Sequence, residues 1–181
     1  MKIGIIVGSL RTESFCRKIA KALIDIAPKS LELSILEIGE LPFFNQDLES
    51  MPPKSWVKFR EELKPLDAIL FITPEYNRSL PAVIKNAIDV GSRPYGQSIW
   101  FLKPAAIISA SVGAMGGFGA NHQLRQALVF LNMPCMQQPE VYLSFVDKLF
   151  DDQASLISKD TEKFLGQFLE SFASWIKTNK K

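Results

Sequence analysis

The stretch "DAILFITPEYNRSLPAVIKNAIDV", residues 67–90, passes from an apolar run through a polar loop to a second patterned segment. The run from Asp67 to Thr73 is almost entirely apolar, which predicts a strand buried on both faces of a sheet. Pro81 to Val90 predicts a helix, because proline suits the first helical turn. The loop between them contains an acid, a tyrosine, an asparagine, an arginine and a serine, which are more polar and ionisable side chains than a turn requires. We therefore expect a strand–loop–helix unit whose loop binds a ligand.

Apolar runs and amphipathic segments alternate along the whole chain. The predicted strands are residues 3–9, 31–38, 67–73, 104–111 and a short extended piece at 136–143, and the predicted helices are residues 14–26, 52–64, 81–90, 121–131 and 160–176. Strands that alternate with helices form βαβ units with right-handed crossovers, which place a parallel sheet between two helical layers. We expect a single α/β domain over residues 1–181, a three-layer sandwich whose five parallel strands have the flavodoxin-like order 2-1-3-4-5. Residues 39–53 are irregular and predict a loop over the edge of the sheet.

The composition argues against several classes of protein. The 181 residues are 47% hydrophobic and 22% charged, and the net charge of +2 is too small to indicate a nucleic-acid or membrane partner. The two cysteines, Cys16 and Cys135, form no CxxC motif, so we expect no structural disulfide. No segment approaches the ~20 apolar residues of a membrane helix, and the first residues favour a strand over a signal peptide. We expect a cytoplasmic protein.

Ligands of such folds bind outside the carboxyl ends of the strands, where three unusual loops meet at residues 8–14, 74–80 and 109–119. The first loop, "GSLRTESFC", opens a helix, and a helix N-terminus attracts phosphate. Ser9 and Ser14 offer hydroxyl groups and Arg11 offers a charged fork. The glycine spacings of dinucleotide and ATP-binding loops are absent. An ordinary turn with Ser14 or Thr12 as the N-cap is an equal alternative.

The other two loops suit a planar polar ligand. Asn77 and Ser79 offer hydrogen bonds to a ring edge, and Tyr76 either stacks on a ring or packs within the protein. Glu75 has no partner carboxylate that would indicate acid–base catalysis. The third loop, "SASVGAMGGFG", has four glycines in seven residues, which permits either close backbone approach to a ligand or simple flexibility.

Other chemistries have little support. His122 is the only histidine, no GxSxG motif is present, and the ligands of a metal site are lacking. The aromatic stripe of the last helix is expected to belong to the core or to a subunit contact; it consists of Phe164, Phe168, Phe172 and Trp175.

Taken together, these motifs resemble the NADPH-dependent FMN reductase family, which includes bacterial quinone, chromate and azo-dye reductases. "GSLRTES" resembles the family's GS-x-R-x-x-S loop, "TPEYNRSLPAVIKNAIDVGSRP" its TPEYN-to-SRP signature, and "GAMGGFGANHQLRQAL" its G-x-x-GG segment. The likeness extends over residues 2–140. It implies non-covalently bound FMN, with NADPH or NADH as co-substrate.

The resemblance also implies roles for individual residues. The phosphate would be held by Ser9, Arg11 and Ser14 with backbone N–H groups up to Cys16, and the isoalloxazine would be lined by Pro74, Glu75, Tyr76, Asn77, Ser79, Ser109, Gly113, Gly116 and Gly117. Four positions depart from the family pattern: Cys16 replaces an asparagine, Arg78 a tyrosine, Ala82 a glycine and Val90 a tryptophan. These departures bear on substrate preference and on the subunit contact.

The resemblance leaves two functions open. A reductase would pass hydride from NAD(P)H through FMN to a small acceptor in a ping-pong cycle that needs no side-chain acid. Asn77 would stabilise charge on the reduced ring, and Arg78 would attract substrate phosphates or form a salt bridge across a dimer. The alternative is a flavodoxin-type electron carrier, which the slightly basic charge disfavours. A homodimer or homotetramer is implied, with its contact supplied by residues 124–131 and by the "KNAIDVGSRP" helix, so that each site would be completed by residues of the neighbouring subunit. The acceptor is open among quinone, flavin, azo compound and chromate.

Overall fold

Five parallel strands form one sheet in the order β2-β1-β3-β4-β5, which confirms the predicted topology. The structure is a computed structural model that describes residues 1–180. The strands are β1 (Lys2–Val7), β2 (Glu32–Leu36), β3 (Ala68–Thr73), β4 (Ala105–Ala110) and β5 (Val141–Leu143). The helices are α1 (Phe15–Asp25), α2 (Lys54–Leu63), α3 (Ala82–Gly91), α4 (Phe118–Phe130) and α5 (Lys159–Asn179), with short 3₁₀ helices at Gln46–Leu48 and Val146–Lys148.

The sheet is covered on both faces, and each face has its own core. Helices α1 and α5 pack on one face, and α2, α3 and α4 pack on the other. Successive residues of a strand point to opposite faces, so Ile5 belongs to the first core and Ile6 to the second. Since neither face meets water, the central strands β3 and β4 are buried at every residue. No helix within residues 1–180 combines the length and the apolar character needed to span a membrane.

The aromatic stripe of α5 belongs to the core. Phe168 and Phe172 are buried, with ring centroids 6.3 Å apart, and Phe164 and Trp175 pack at the margin of the same cluster. Of the two roles expected for this stripe, packing inside the domain is the one observed.

The bounds of three elements, α4, β5 and α5, differ notably from the prediction. Helix α4 begins at Phe118 rather than at residue 121, because Gly117 adopts a left-handed conformation, φ 78°, immediately before it. Strand β5 contains only Val141–Leu143 of the predicted residues 136–143, and Pro139 in that segment has no N–H to donate to a ladder. Helix α5 extends further at both ends than expected and has Ser158 as its N-cap.

Residues 39–53, predicted as a loop over the edge of the sheet, are held against α3. The buried Asn86 of α3 accepts a hydrogen bond from the Phe44 backbone at 2.7 Å and donates to the carbonyl oxygens of Leu41 and Pro42. Just after α3, the Arg93 guanidinium lies 5.3 Å from the centre of the Phe44 ring and pairs with the Glu49 carboxylate. The signature segment "KNAIDVGSRP" therefore fixes a loop that is distant from it in sequence.

Candidate functional site

The three loops predicted to meet do enclose one cleft, at the carboxyl ends of β1, β3 and β4. Its volume is about 190 Å³. The first loop and α1 contribute Ser9, Arg11, Phe15 and Cys16; the second contributes Pro74, Glu75 and Tyr76; the third region contributes Ala110, Ser111 and Val112; and Val146 completes the lining. Six of these residues were expected from the sequence. Val146 was missed because it comes from the short 3₁₀ helix after β5, where no motif marks it.

The first loop presents free backbone N–H groups at the start of α1. Among residues 1–180, no acceptor pairs with the backbone N–H groups of residues 9–15. Ser14 is the N-cap, since its Oγ accepts from the Arg17 backbone at 3.2 Å, and its own hydroxyl proton stays available. Of the two alternatives weighed for this loop, the N-cap is observed at Ser14, and the uncommitted amides leave phosphate binding as a prediction.

Gly8 brings the first loop close to α3. A Cβ at this position would come within 2.4 Å of Cδ1 of Ile84 and 3.1 Å of Pro74 Cδ, so a larger residue would force the Ile84 side chain or the loop to shift. The Gly8 N–H donates to the Ile72 carbonyl at 2.8 Å, which joins the ends of β1 and β3. The glycine in "GSLRTES" thus serves packing at the base of the cleft.

The second loop is a tight two-residue hairpin. Tyr76 and Ser79 exchange two backbone hydrogen bonds of 3.0 Å, and Asn77 and Arg78 between them have φ values of 51° and 65°. Two successive positive φ angles are the requirement of a type I′ turn, which asparagine tolerates well at its first position. The hairpin leaves Asn77 at an exposed tip and Tyr76 half exposed at the mouth of the cleft.

Two of the expected second-loop residues point toward α4. Glu75 Oε2 accepts from the Ala120 backbone at 3.1 Å, and Ser79 Oγ donates to Gln123 Oε1. The Ser79 side chain therefore turns away from the cleft, whereas Glu75 both lines it and reaches α4.

The third loop uses two consecutive left-handed glycines to enter α4. Gly116 has φ 57° and Gly117 has φ 78°. A Cβ on Gly116 would lie 2.7 Å from the backbone carbon of Tyr142, so the loop can only lie against β5 if this residue is glycine. Ser109 is fully buried below the loop, where its hydroxyl accepts from Asn121 Nδ2 at 3.3 Å. Ser109 thus supports the cleft from beneath.

A second, larger cavity of about 610 Å³ adjoins the cleft and shares Arg11 and Tyr76 with it. Its remaining lining is mostly apolar: Gly8, Leu10, Gly39, Leu41, Phe43, Pro81, Ala82, Val83 and Asn86. The sequence analysis missed this cavity, because part of its wall, Gly39, Leu41 and Phe43, comes from the irregular residues 39–53. The signal that could have indicated it is the polar Asn86 inside an otherwise apolar helix face.

Comparison with known proteins identifies the family of the chain. Residues 1–148 match the family model for NADPH-dependent FMN reductase. The chain is 58% identical over 179 residues to a quinone reductase of Pseudomonas putida, covering 98% of this chain and 96% of the relative. It is 41% identical over 180 residues to a 2-hydroxy-1,4-benzoquinone reductase of a Burkholderia species, covering 99% and 98%. The solved structure of the Paracoccus denitrificans flavoenzyme NAD(P)H:(acceptor) oxidoreductase FerB superposes with a TM-score of 0.93 at 39% identity, covering 99% of both chains.

The chain belongs to the NADPH-dependent FMN reductase family. It is accordingly an oxidoreductase that uses FMN as cofactor and NAD(P)H as electron donor. The residues present fit that cofactor: the free N–H groups of residues 9–15 and the Arg11 guanidinium suit a phosphate, and the cleft between the second and third loops lies directly beside them.

Cys16, one of the expected departures from the family pattern, lies in the first turn of α1 and is buried. Its side chain is 3% exposed and packs in the core formed by α1, α5 and the sheet. Burial raises the pKa of the Cys16 thiol to about 12, because the interior disfavours the charged thiolate. The thiol is thus a packing group at the base of the cleft.

We expect Cys16 to resist alkylation in the folded protein at about pH 8, because the thiolate is the reactive species and burial suppresses it. Mass spectrometry of peptides after iodoacetamide treatment measures the modified fraction. The guanidinium-unfolded protein is the control, in which Cys16 should react fully. Modification of Cys16 at similar rates in the folded and unfolded protein would contradict this assignment.

Proposed function

We propose that the protein is a quinone reductase that transfers hydride from NAD(P)H, through FMN, to a quinone in a ping-pong cycle. The observation that carries the proposal is the cleft in which unpaired amides of the first loop lie next to the hairpin of the second. The quinone is favoured as acceptor because the relatives at 58% and 41% identity are named quinone reductases. The adjoining cavity supports the same choice, since its apolar walls suit an uncharged ring.

The first loop is proposed to hold the phosphate of FMN. The N–H groups of residues 9–15 have no protein acceptor and precede or begin α1, at its positive end, and Ser9 and Ser14 add hydroxyl groups. Arg11 is exposed and lines both cavities, so its guanidinium can reach an anion from the solvent side. Its charge balances the phosphate, and its hydrogen bonds would be charge-assisted.

The second and third loops are proposed to enclose the flavin ring. When bound, FMN accepts hydride from NAD(P)H and passes the electrons to the acceptor. Pro74, Glu75 and Tyr76 form one wall, and residues 110–112 form the other. The Asn77 backbone at the hairpin tip is suited to stabilise negative charge on the reduced ring.

Arg78 is proposed to steer substrates rather than to react with them. Its side chain is 77% exposed and pairs with Glu75 Oε1 at 3.2 Å. An exposed guanidinium attracts the phosphates of NAD(P)H over several ångströms. The cleft then needs no acidic side chain, since protons for the reduced quinone come from solvent at the open mouth. Donor and acceptor would use that one mouth in turn, which is the basis of the ping-pong order.

We also place the reaction in the cytoplasm, where two free cysteines and a supply of NAD(P)H are compatible with a reducing compartment.

The first test is to load the purified protein with FMN and mix it without oxygen with NADPH and, separately, NADH. We expect the absorbance of the oxidised flavin to be lost rapidly and to recover when a benzoquinone is added. Bound flavin that neither donor reduces would contradict the reductase and favour an electron carrier. Recovery with azo dye or chromate but not with quinone would contradict the proposed acceptor.

Replacing Arg11 by alanine should raise the Kd for FMN by about 10- to 100-fold, because a charge-assisted phosphate contact is worth roughly 1.5–3 kcal/mol. Quenching of flavin fluorescence measures the Kd. Arg17→Ala is the matched control, since Arg17 lies on α1 shortly after the first loop but pairs with Glu37 away from the cleft. Equal FMN affinity in wild type and Arg11→Ala would refute the role given to Arg11.

The chain is proposed to form at least a homodimer, because large apolar side chains are exposed near α3 and α4. Phe43, Met51 and Tyr95 are 74%, 82% and 89% exposed near α3, and Val129 and Phe130 are 76% and 90% exposed on α4. Sedimentation velocity at micromolar concentration should give the mass of two or more chains. A monomer under those conditions would overturn this proposal.

A further inference from the structure

We infer that Glu75 is a positioning residue: its carboxylate fastens the second loop to the start of α4 and so sets the separation between the two walls of the cleft. This inference rests on the proposed function, because the walls are those proposed to enclose FMN. It assigns to Glu75 a contact with protein backbone, where the family resemblance implied only a contact with the ring.

Helix α4 has no N-cap side chain of its own. It begins after Gly117, which has no side chain to accept a hydrogen bond from the first helical turn. Glu75 supplies the missing acceptor from 45 residues away, with Oε2 at 3.1 Å from the Ala120 backbone nitrogen. Its negative charge lies at the positive end of the helix, where charge and dipole attract. The Glu75 side chain is only 10% exposed, so water competes weakly for these contacts.

The residues on the other side of the hairpin tip, Arg78 and Ser79, also contact α4. Ser79 Oγ donates to Gln123 Oε1, and Gln123 Nε2 donates to the Arg78 carbonyl at 3.4 Å. Gln123 lies one helical turn after Ala120, so the second loop contacts α4 at two successive turns. The loop is therefore held on both sides of its tip.

Gly119 shows how closely the loop and the helix approach. A Cβ on Gly119 would lie 2.9 Å from Glu75 Oε2 and 2.9 Å from the Arg78 carbonyl oxygen. Glycine is normally unfavourable in a helix, so its presence inside α4 indicates that the close approach is required. This observation is independent of the hydrogen bonds and leads to the same contact.

Both oxygens of Glu75 are engaged. Oε2 accepts from the Ala120 N–H, and Oε1 accepts from Arg78 Nη1 at 3.2 Å. The carboxylate is therefore held in place as an acceptor, and it is not required as a proton donor in the proposed reaction. What it contributes to FMN binding is the position of the hairpin backbone.

The experiment compares Glu75→Ala, Glu75→Gln and Gly119→Ala with wild type. Glu61→Ala is the matched control. Glu61 also forms a salt bridge with a basic residue three positions later, Lys64, but it lies on the exposed face of α2. Hydrogen exchange of the Ala120 amide is measured by NMR in FMN-free protein, and the Kd for FMN is measured by fluorescence. The first readout requires no cofactor, so it also tells whether each variant folds.

Glu75→Ala should speed exchange at Ala120 and raise the Kd for FMN, each about tenfold or more, because one strong acceptor is lost. Glu75→Gln keeps an acceptor oxygen and should restore both to within about threefold of wild type. Gly119→Ala should weaken FMN binding about tenfold although alanine favours the helix, because the loop must move away. Glu61→Ala should match wild type in both measurements.

Three results would each overturn the inference: unchanged Ala120 exchange in Glu75→Ala, a Gln variant as impaired as the Ala variant, or wild-type FMN affinity in Gly119→Ala. If Glu75→Ala does not fold, the Gln and Gly119 variants decide by the same criteria. Failure of the proposed function would appear instead in the wild-type protein, as bound flavin that NAD(P)H does not reduce.

Discussion

The side-by-side alignment of the carboxyl ends of β1, β3 and β4 is the constraint on which the site depends. In the sheet register Val7 pairs with Ile72, and Thr73 pairs with Ser109, so the three strands end at one level. Each strand is followed by a loop that leads to a helix, and the loops must therefore meet above the sheet edge. The cleft is a consequence of this register, because a shift of one strand would move its loop away from the other two.

The family signature serves two purposes that the sequence does not distinguish. Its first half, "TPEYNRS", forms the hairpin beside the cleft. Its second half, "KNAIDVGSRP", uses Asn86 and Arg93 to hold residues 41–49, which bring Leu41 and Phe43 to the wall of the larger cavity. One signature thus specifies both a ligand-facing loop and the scaffold of the neighbouring cavity.

The departures from the family pattern fall in different environments. Ala82 lines the larger cavity, where an added methyl group alters the surface offered to an acceptor. Val90 is fully buried. The next residue, Gly91, has no side chain, and the Trp100 indole occupies the space that a side chain there would need. Cys16 is likewise a core residue. Ala82 and Arg78 thus lie at a cavity wall and at the exposed hairpin, whereas Cys16 and Val90 are buried packing residues.

The sequence alone determined the strands, the helices and their order, because patterns of apolar residues report burial over a few neighbouring residues. It also marked the three loops, since a cluster of serine, arginine or glycine residues directly after an apolar run is visible in the local sequence. Only the tertiary structure decided which side chains face the cleft: Ser79 turns to Gln123 and Ser109 lies beneath Asn121. It also decided that α4 is capped from the second loop and that residues 39–53 form a cavity wall. These contacts join residues that are mostly more than 40 positions apart, so they follow from how the layers pack and leave no local pattern in the chain.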